Sequence, residues 1–298
     1  MAEAAPQASG FAFRHWDTHD ADQHAESLTG WDQDYQQLSA GRFTGHLTDA
    51  WIDGIQIYRE VTNQTLYQAG SCWAGGRTFC MVLGMRGEGV FCNQPVPDDA
   101  AAMFGSGGEF FFRTPRELDV IGIGVPDAII ESGALALEGR AALAATSGGP
   151  SIVGDSAALG ALRDYLRSLL TRLEHDASAF EQSAVRAGVT STLLGGLLDV
   201  FAGDSIVVAD TGGGASRRRL VDAAKALVTA KGEAPMTVPE LTALLGVSMR
   251  TLEYAFRDVL GLSPVQYLRA ARLRGVRREL LRAGPGTRVS DAASRWGF

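Results

Sequence analysis

The chain has 298 residues, 46% of them apolar and 20% charged, with a net charge of −7. Such a length allows about two domains at ~100–200 residues each, and the composition is that of an ordinary globular protein, which excludes a collagen-like, fibrous or disordered chain. The opening MAEAAPQASG has neither a basic nor an apolar stretch, and no later apolar run approaches the ~18 residues of a membrane span, so a cytoplasmic protein with no membrane partner is expected.

In chain order, HDADQHAESLTGWDQDYQQLS, residues 19–39, predicts a helix, because Leu28, Trp31, Tyr35 and Leu38 recur at three or four residues. Residues 51–126 are rich in Gly, aromatic and β-branched residues, as in IDGIQIYREV, TFCMVLGMRG, GEFFFRT and LDVIGIGV. Short polar breaks divide them, which predicts strands of a sandwich or barrel with the helix packed across it. Cys72, Cys80 and Cys92 are an odd number in one short segment without a CxxC pair or a nearby histidine. Buried thiols are therefore expected, with neither a disulfide framework nor a metal site.

After Pro126 the period becomes helical, first in DAIIESGALAL and then over 156–175 and 178–201. Leu159, Leu162, Leu166, Leu169, Leu170 and Leu173 make one apolar stripe; Val189, Leu193, Leu197 and Phe201 make another. The pair predicts a helical hairpin that could serve as core, spacer or dimer interface. DTGGGAS, residues 210–216, reads as a linker. The predicted fold class is α+β. A β-rich sensor domain over 1–138 and the hairpin over 139–209 precede the linker, and an all-α domain fills 217–298.

The charge is divided unequally. Residues 217–298 hold 15 Lys+Arg and 7 Asp+Glu, net +8, which leaves 12 against 27, net −15, in residues 1–216. A basic block on an acidic body points to a polyanion-binding module. Within it, Leu220, Val221, Ala224, Leu227 and Val228 predict a first helix. Thr237 and Glu240 form a capping box for a second helix, which buries Leu241, Leu244 and Leu245 and breaks at Gly246. Ser248 caps a third, with Leu252, Ala255, Phe256 and Val259 inward. Two short helices joined by a Gly-containing turn predict a helix-turn-helix, in which the first helix braces the second against the major groove.

The candidate DNA-contacting residues are then Ser248, Met249, Arg250, Thr251, Glu253, Tyr254 and Arg257. Arg250 can fork onto guanine, Thr251 can touch a thymine methyl and Glu253 can accept from cytosine. Ser263 and Pro264 start a further helix that carries Arg269, Arg274 and Arg277 toward phosphates. Val289, Asp291, Ala293 and Gly297 repeat Val238, Glu240, Thr242 and Gly246 at an offset of 51, predicting a second helix-turn-helix. Because the sequence stops at Phe298, within that second turn, this second unit is expected to be incomplete and the C-terminus truncated.

VSMRTLEYAF, GLSPVQYLRAARL and VSDAASRWGF resemble the AraC family of bacterial transcription regulators over 217–298. The resemblance implies two helix-turn-helix units on successive major grooves of a double-stranded DNA operator. It places base reading at Arg250, Glu253 and Tyr254. LTGWDQDYQQLSAGRFTGHLTDAWIDGIQIYRE, LVTAKGEAPMTVPELTALLGVSMRTLEYAFRDVLGLSP, LRGVRREL and DAASRWGF are similar to one branch, the regulators of ethanolamine-utilisation operons. What this implies is a cupin-like effector-binding domain, an activator of a catabolic operon, RNA polymerase as a partner and a homodimer as one assembly. The implied effector is a small amine, an alcohol or a cobalamin, with no cofactor.

From the residues themselves, Trp73, Phe79, Phe91, Phe104, Phe110 and Phe112, with Glu88, Glu109 and Arg113, could line an effector cavity. A metal-dependent cupin enzyme would need several strand histidines, whereas the five here, at 15, 19, 24, 46 and 175, are expected outside the strands. Catalysis is therefore not expected. The rival reading for the basic block is a regulator that works through RNA or protein contacts.

Overall fold

The structure is a computed structural model. It describes residues 10–71, 75–92, 94–105, 109–136, 151–153, 156–201, 206–208, 215–232, 235–283 and 287–298. The chain divides into two compact units, Met1–Ala209 and Asp210–Phe298.

The first unit opens with β1 (Phe11–Thr18), α1 (Ala21–Ser27), β2 (Asp32–Gln37), β3 (Gly45–Ile52), β4 (Ile55–Thr62) and β5 (Leu66–Ser71). It continues through β6 (Gly76–Arg86), β7 (Gly89–Phe91), β8 (Gln94–Val96), β9 (Ala101–Phe104), β10 (Glu109–Arg113) and β11 (Glu117–Pro126). There follow α2 (Asp127–Ala136), β12 (Ser151–Val153), α3 (Ala157–His175), a 3-10 turn (Ala177–Glu181), α4 (Ser183–Phe201) and β13 (Ile206–Val208). The strands form two antiparallel sheets. One is eight-stranded, in the order β1-β3-β4-β11-β6-β9-β12-β13, and the other five-stranded, β2-β5-β10-β7-β8.

Strands begin well before residue 51, and only a third of the predicted helix over 19–39 is present, as the seven residues of α1. Asp20 caps α1 by accepting from the amides of Asp22 and Gln23. The helix then stops, and Gly30 at φ +81 turns the chain into β2. Trp31 and Tyr35, spaced four apart, suit one helical face, but with Gln33 between them they equally suit one face of a strand. The strand prevails because β5 offers six paired positions to Asp32–Gln37. His15 and His46 likewise lie on β1 and β3, against the expectation that histidines avoid the strands. Among the described residues no three His, Cys, Asp or Glu converge to hold a metal ion. No described helix is long and apolar enough to cross a membrane.

The hairpin of α3 and α4 is committed to the core. Leu159, Leu162, Leu166, Leu169, Leu170 and Leu173 on α3, with Val189, Leu193 and Leu197 on α4, pack in one cluster with Ile52, Ile57, Phe79, Met81, Ile121 and Ile123 of the large sheet. Strands alternate faces at every residue, so the neighbours Tyr58, Cys80 and Val120 point the other way, into the space lined by both sheets. The strands β12 and β13, on either side of the hairpin, were not predicted; they pair with each other and extend the large sheet beyond β9.

The second unit contains α5 (Ala215–Lys231), α6 (Val238–Leu245), α7 (Met249–Leu260), α8 (Pro264–Arg282) and α9 (Val289–Arg295). Its core is Val221, Ala224, Leu241, Leu252, Phe256, Leu260 and Leu268, each buried, with the Phe256 and Tyr267 rings edge to face at 5.3 Å. Leu244, predicted inward, is 62% exposed, because α6 ends one residue later and its last turn leaves the core.

Candidate DNA-reading helix and effector cavity

The turn between α6 and α7 follows from three local choices. Thr237 accepts from the Glu240 amide while Glu240 accepts from the Thr237 amide at 2.8 Å, closing the capping box. Lys231 Nζ holds the same carboxylate at 2.9 Å, and these contacts lower the Glu240 carboxyl from the ordinary value to about 2. Gly246 takes the left-handed conformation, φ 65°, that other residues adopt at a cost. Ser248 then caps α7 by accepting from the Thr251 amide at 3.1 Å. Thr242 is half-buried, and its hydroxyl donates to Pro239 O at 2.8 Å, so the polar group is satisfied within the helix.

On α7, Leu252, Ala255, Phe256, Val259 and Leu260 are buried. Ser248, Met249, Arg250, Thr251, Tyr254 and Arg257 are exposed, and Glu253 is half-exposed. The polar face is already organised. Arg250 Nη2 donates to the Tyr254 hydroxyl at 3.0 Å with its guanidinium 5.1 Å from that ring, and Arg257 Nε donates to Glu253 Oε1 at 3.0 Å. Such i,i+4 pairs lay the long side chains along the exposed helix face. Arg269 and Arg277 on α8 are exposed, while Arg274 is half-buried and so presents less of its side chain to a partner.

The repeat at an offset of 51 has a structural counterpart. Ala292 of α9 is buried like Leu241, and Gly297 is left-handed, φ +74, like Gly246. The caps differ, since Arg288 makes no side-chain cap where Thr237 makes a box. In its place, the Trp296 ring lies against Gly275 of α8, where an added Cβ would sit 2.3 Å from the indole. Glu279 accepts from Trp296 Nε1 at 2.9 Å and from Arg295 Nε at 2.8 Å, and Arg272 Nη1 donates to Gly297 O at 3.0 Å.

In the first unit a cavity of ≈ 60 Å³ is lined by both sheets. Of the residues expected there, Phe91, Phe110 and Phe112 line it, as does Phe104. Phe79 does not; it is on the opposite face of β6, in the core against α3 and α4. Glu88 is exposed between β6 and β7 and is also outside the cavity. Trp73 and the side chain of Glu109 lie outside the described residues, as does Cys72. Cys80 and Cys92 are thiols, the first half-buried and the second buried.

Sequence reasoning missed Trp31, Tyr35, Tyr58, Glu60, Gln68 and Cys80, all of which line the cavity. The available signal was β4 itself: in IQIYREV, a Glu two residues after a Tyr on the buried face needs a partner inside. Tyr58 lies flat over Gly122, where an added Cβ would meet its ring at 2.0 Å, and its hydroxyl reaches Cys80 Sγ at 3.3 Å. Burial pushes the Tyr58 phenol well above its usual value, and does the same for Tyr35 with help from the Glu60 charge. Asp49, beside the cavity wall, is raised by burial against the opposing hydrogen bond from Gln56 Nε2 at 2.8 Å.

Residues 241–298 match a family model described as a helix-turn-helix domain. The chain is similar to the probable thc operon regulatory protein of Rhodococcus erythropolis, 39% identical over 70 residues, covering 23% of this chain and 21% of that protein. It is also similar to the regulatory protein HrpB of Ralstonia nicotianae, 38% identical over 64 residues, covering 21% of this chain and 13% of that protein. The matches thus span about a fifth or less of these relatives. Among solved structures, the AraC-like transcriptional activator CuxR aligns with a TM-score of 0.46 and 14% identity, over 95% of this chain and 100% of that one. The part of the chain that carries the capped α6–turn–α7 arrangement is therefore a helix-turn-helix domain.

Proposed function

We propose that the chain is an AraC-type, sequence-specific DNA-binding transcription regulator, with α7 as its reading helix and the cavity of the first unit as the site of a small-molecule effector. The observation that carries the reading is the division of α7: one face is wholly buried, and the other presents Arg250, Thr251, Glu253 and Tyr254 from a capped N-terminal half. Those side chains hold the hydrogen-bonding complement that the major groove requires. The excess of Lys and Arg over 217–298 supplies the attraction to phosphate that positions such a helix. Arg269 and Arg277, exposed on α8, serve this positioning, and Arg274 contributes less.

The effector reading is supported by an apolar, aromatic-walled cavity that carries a few polar groups. Activation of a catabolic operon, with RNA polymerase as partner, follows the resemblance to the ethanolamine-utilisation branch. The test is selection of binding sites from random duplex DNA, followed by mobility shifts with a selected duplex, a scrambled duplex and RNA of equal length. Preference for the selected duplex by ~10³-fold or more is the outcome for a specific reader. Equal affinity for all three would replace operator reading by general polyanion binding.

A further inference from the structure

Among the described residues that line the cavity, Glu60 is the one acidic group, and no lysine or arginine lines it. The Glu60 carboxyl is buried and engaged by the protein itself. Gln68 Nε2 donates to Oε1 at 3.0 Å, His24 Nε2 pairs with the same oxygen at 3.1 Å, and the Tyr35 side chain adds a further hydrogen bond. The other polar groups are taken as well. Trp31 Nε1 donates to Gln56 Oε1 at 3.0 Å, Gln33 Nε2 donates to Ala25 O at 3.0 Å, and the Tyr58 hydroxyl and the Cys80 thiol hold each other at 3.3 Å. Some buried side-chain nitrogens and oxygens of the described residues have no hydrogen-bond partner, but none of them belongs to the cavity wall. A ligand with its own charge, donor or acceptor must therefore break one of these contacts or bury its polar group unpaired, and either is unfavourable.

The rest of the wall is built of rings. Trp31 meets Tyr58 at 5.5 Å, Phe104 at 6.0 Å and Phe110 at 5.8 Å, each edge to face, and Phe91 meets Phe112 at 6.0 Å in the same way. Rings prefer offset or perpendicular neighbours at about 4.5–7 Å between centroids, so one more ring set among these finds edges and faces on several sides. At ~10–15 Å³ for each water-sized group, the ≈ 60 Å³ admits about four to six non-hydrogen atoms, the size of one small ring. Leu28 and Trp31 line both this cavity and an open cleft of ≈ 670 Å³ on the same unit, which also takes in Arg14, Glu26 and Asp32. These two side chains form the wall between cavity and solvent, and their movement gives a path of entry.

We propose that this cavity binds a compact, uncharged aromatic ring without a strong hydrogen-bonding group, held among Trp31, Phe91, Phe104 and Phe110 and against Val82 and Val120. The inference rests on the cavity being the effector site, and it names a ligand chemistry other than the amine, alcohol or cobalamin that the resemblance implies. Selection is by polarity at constant size: a molecule with as many atoms and one polar group gains the same contacts and finds no free partner.

The experiment is calorimetry on the full chain with four probes of equal heavy-atom count: thiophene, thiazole (the same ring with one nitrogen acceptor), 1-butanol and n-butylammonium chloride. Thiophene should bind at least ~10-fold more tightly than each of the others, a difference of ~1.4 kcal/mol. Val82→Phe fills the cavity from β6 and Ala102→Leu fills it from β9; each should abolish thiophene binding while the chain still unfolds cooperatively. The comparison of the four probes on the unsubstituted chain stands even where a variant fails to fold. Binding of thiazole, 1-butanol or butylammonium within ~10-fold of thiophene, or tighter, would overturn the ring assignment and leave the cavity a ligand site. Unchanged thiophene binding in either folded variant would place the ring elsewhere and overturn the assignment. Binding of none of the four would overturn both the ring and the effector reading of the cavity.

Discussion

At the scale of single residues, the reading face of α7 makes the sharpest demand. Arg250 is held by the Tyr254 hydroxyl and ring, so its guanidinium lies along the exposed face of α7. Arg250→Ala should cost about 1–3 kcal/mol on the selected site and flatten preference at one base pair, as loss of a forked contact does. Binding-site selection with the variant checks it; equal loss on selected and random duplexes would move Arg250 to a phosphate. Glu240 gives a pH dependence of known sign. Its folded value, about 2, is below that of an ordinary carboxylate, so its contacts with Lys231 and with the Thr237 cap stabilise the second unit fully above the ordinary value. That contribution is lost as pH falls toward 2, and Glu240→Gln should flatten this part of an acid-unfolding curve. The caps and the buried face of α7 were legible in the sequence because such signals are local. Phe79 was not, since aromatic composition alone leaves open which side of β6 a ring occupies.

At the scale of elements, what the sequence disclosed followed how local each signal was. The leucine stripes of α3 and the capped helices of the second unit were readable from spacing alone. In contrast, β2 was masked by a four-residue spacing that serves helix and strand alike, and β12 and β13 are short strands set by distant partners, β12 pairing with both β9 and β13 and β13 reaching β12 across the hairpin. The cavity was lost with them, since Tyr35 reaches it from β2 and Trp31 from the residue just before that strand. Leu166, fully buried between α3 and the large sheet, should on substitution by Ala cost about 2–5 kcal/mol of first-unit stability in denaturant unfolding. The turn of the helix-turn-helix depends on Gly246 at φ 65°. Gly246→Ala should destabilise the second unit by about 1–2 kcal/mol, the cost of a left-handed non-glycine residue, without changing any contact of α7. A loss of DNA affinity larger than this loss of stability would mean that the turn also touches DNA.

For the whole molecule, the division of charge and the division of cores coincide. The acidic body and the basic block each bury their own apolar set, so residues 1–209 and 210–298 expressed apart should each unfold cooperatively, as calorimetry of the two fragments would show. Arg277→Ala should weaken binding to every duplex alike and reduce the slope of log affinity against log salt by about 1; an unchanged slope would rule out a phosphate contact at Arg277. A mechanical consequence follows from the way α9 is attached. Helix α8, 19 residues and about 28 Å at ~1.5 Å per residue, is a shaft, and α9 is pinned to it twice. One pin is the indole of Trp296 seated on Gly275 beside Glu279; the other, nearly a turn toward the N-terminus, is Arg272 on the carbonyl of Gly297. A single pin would leave α9 free to swivel, but two transmit torque. Any rotation of α9 must therefore turn the shaft, and the angle between the two glycine-turned units is set by the rigidity of α8 and not by the chain that joins it to α9.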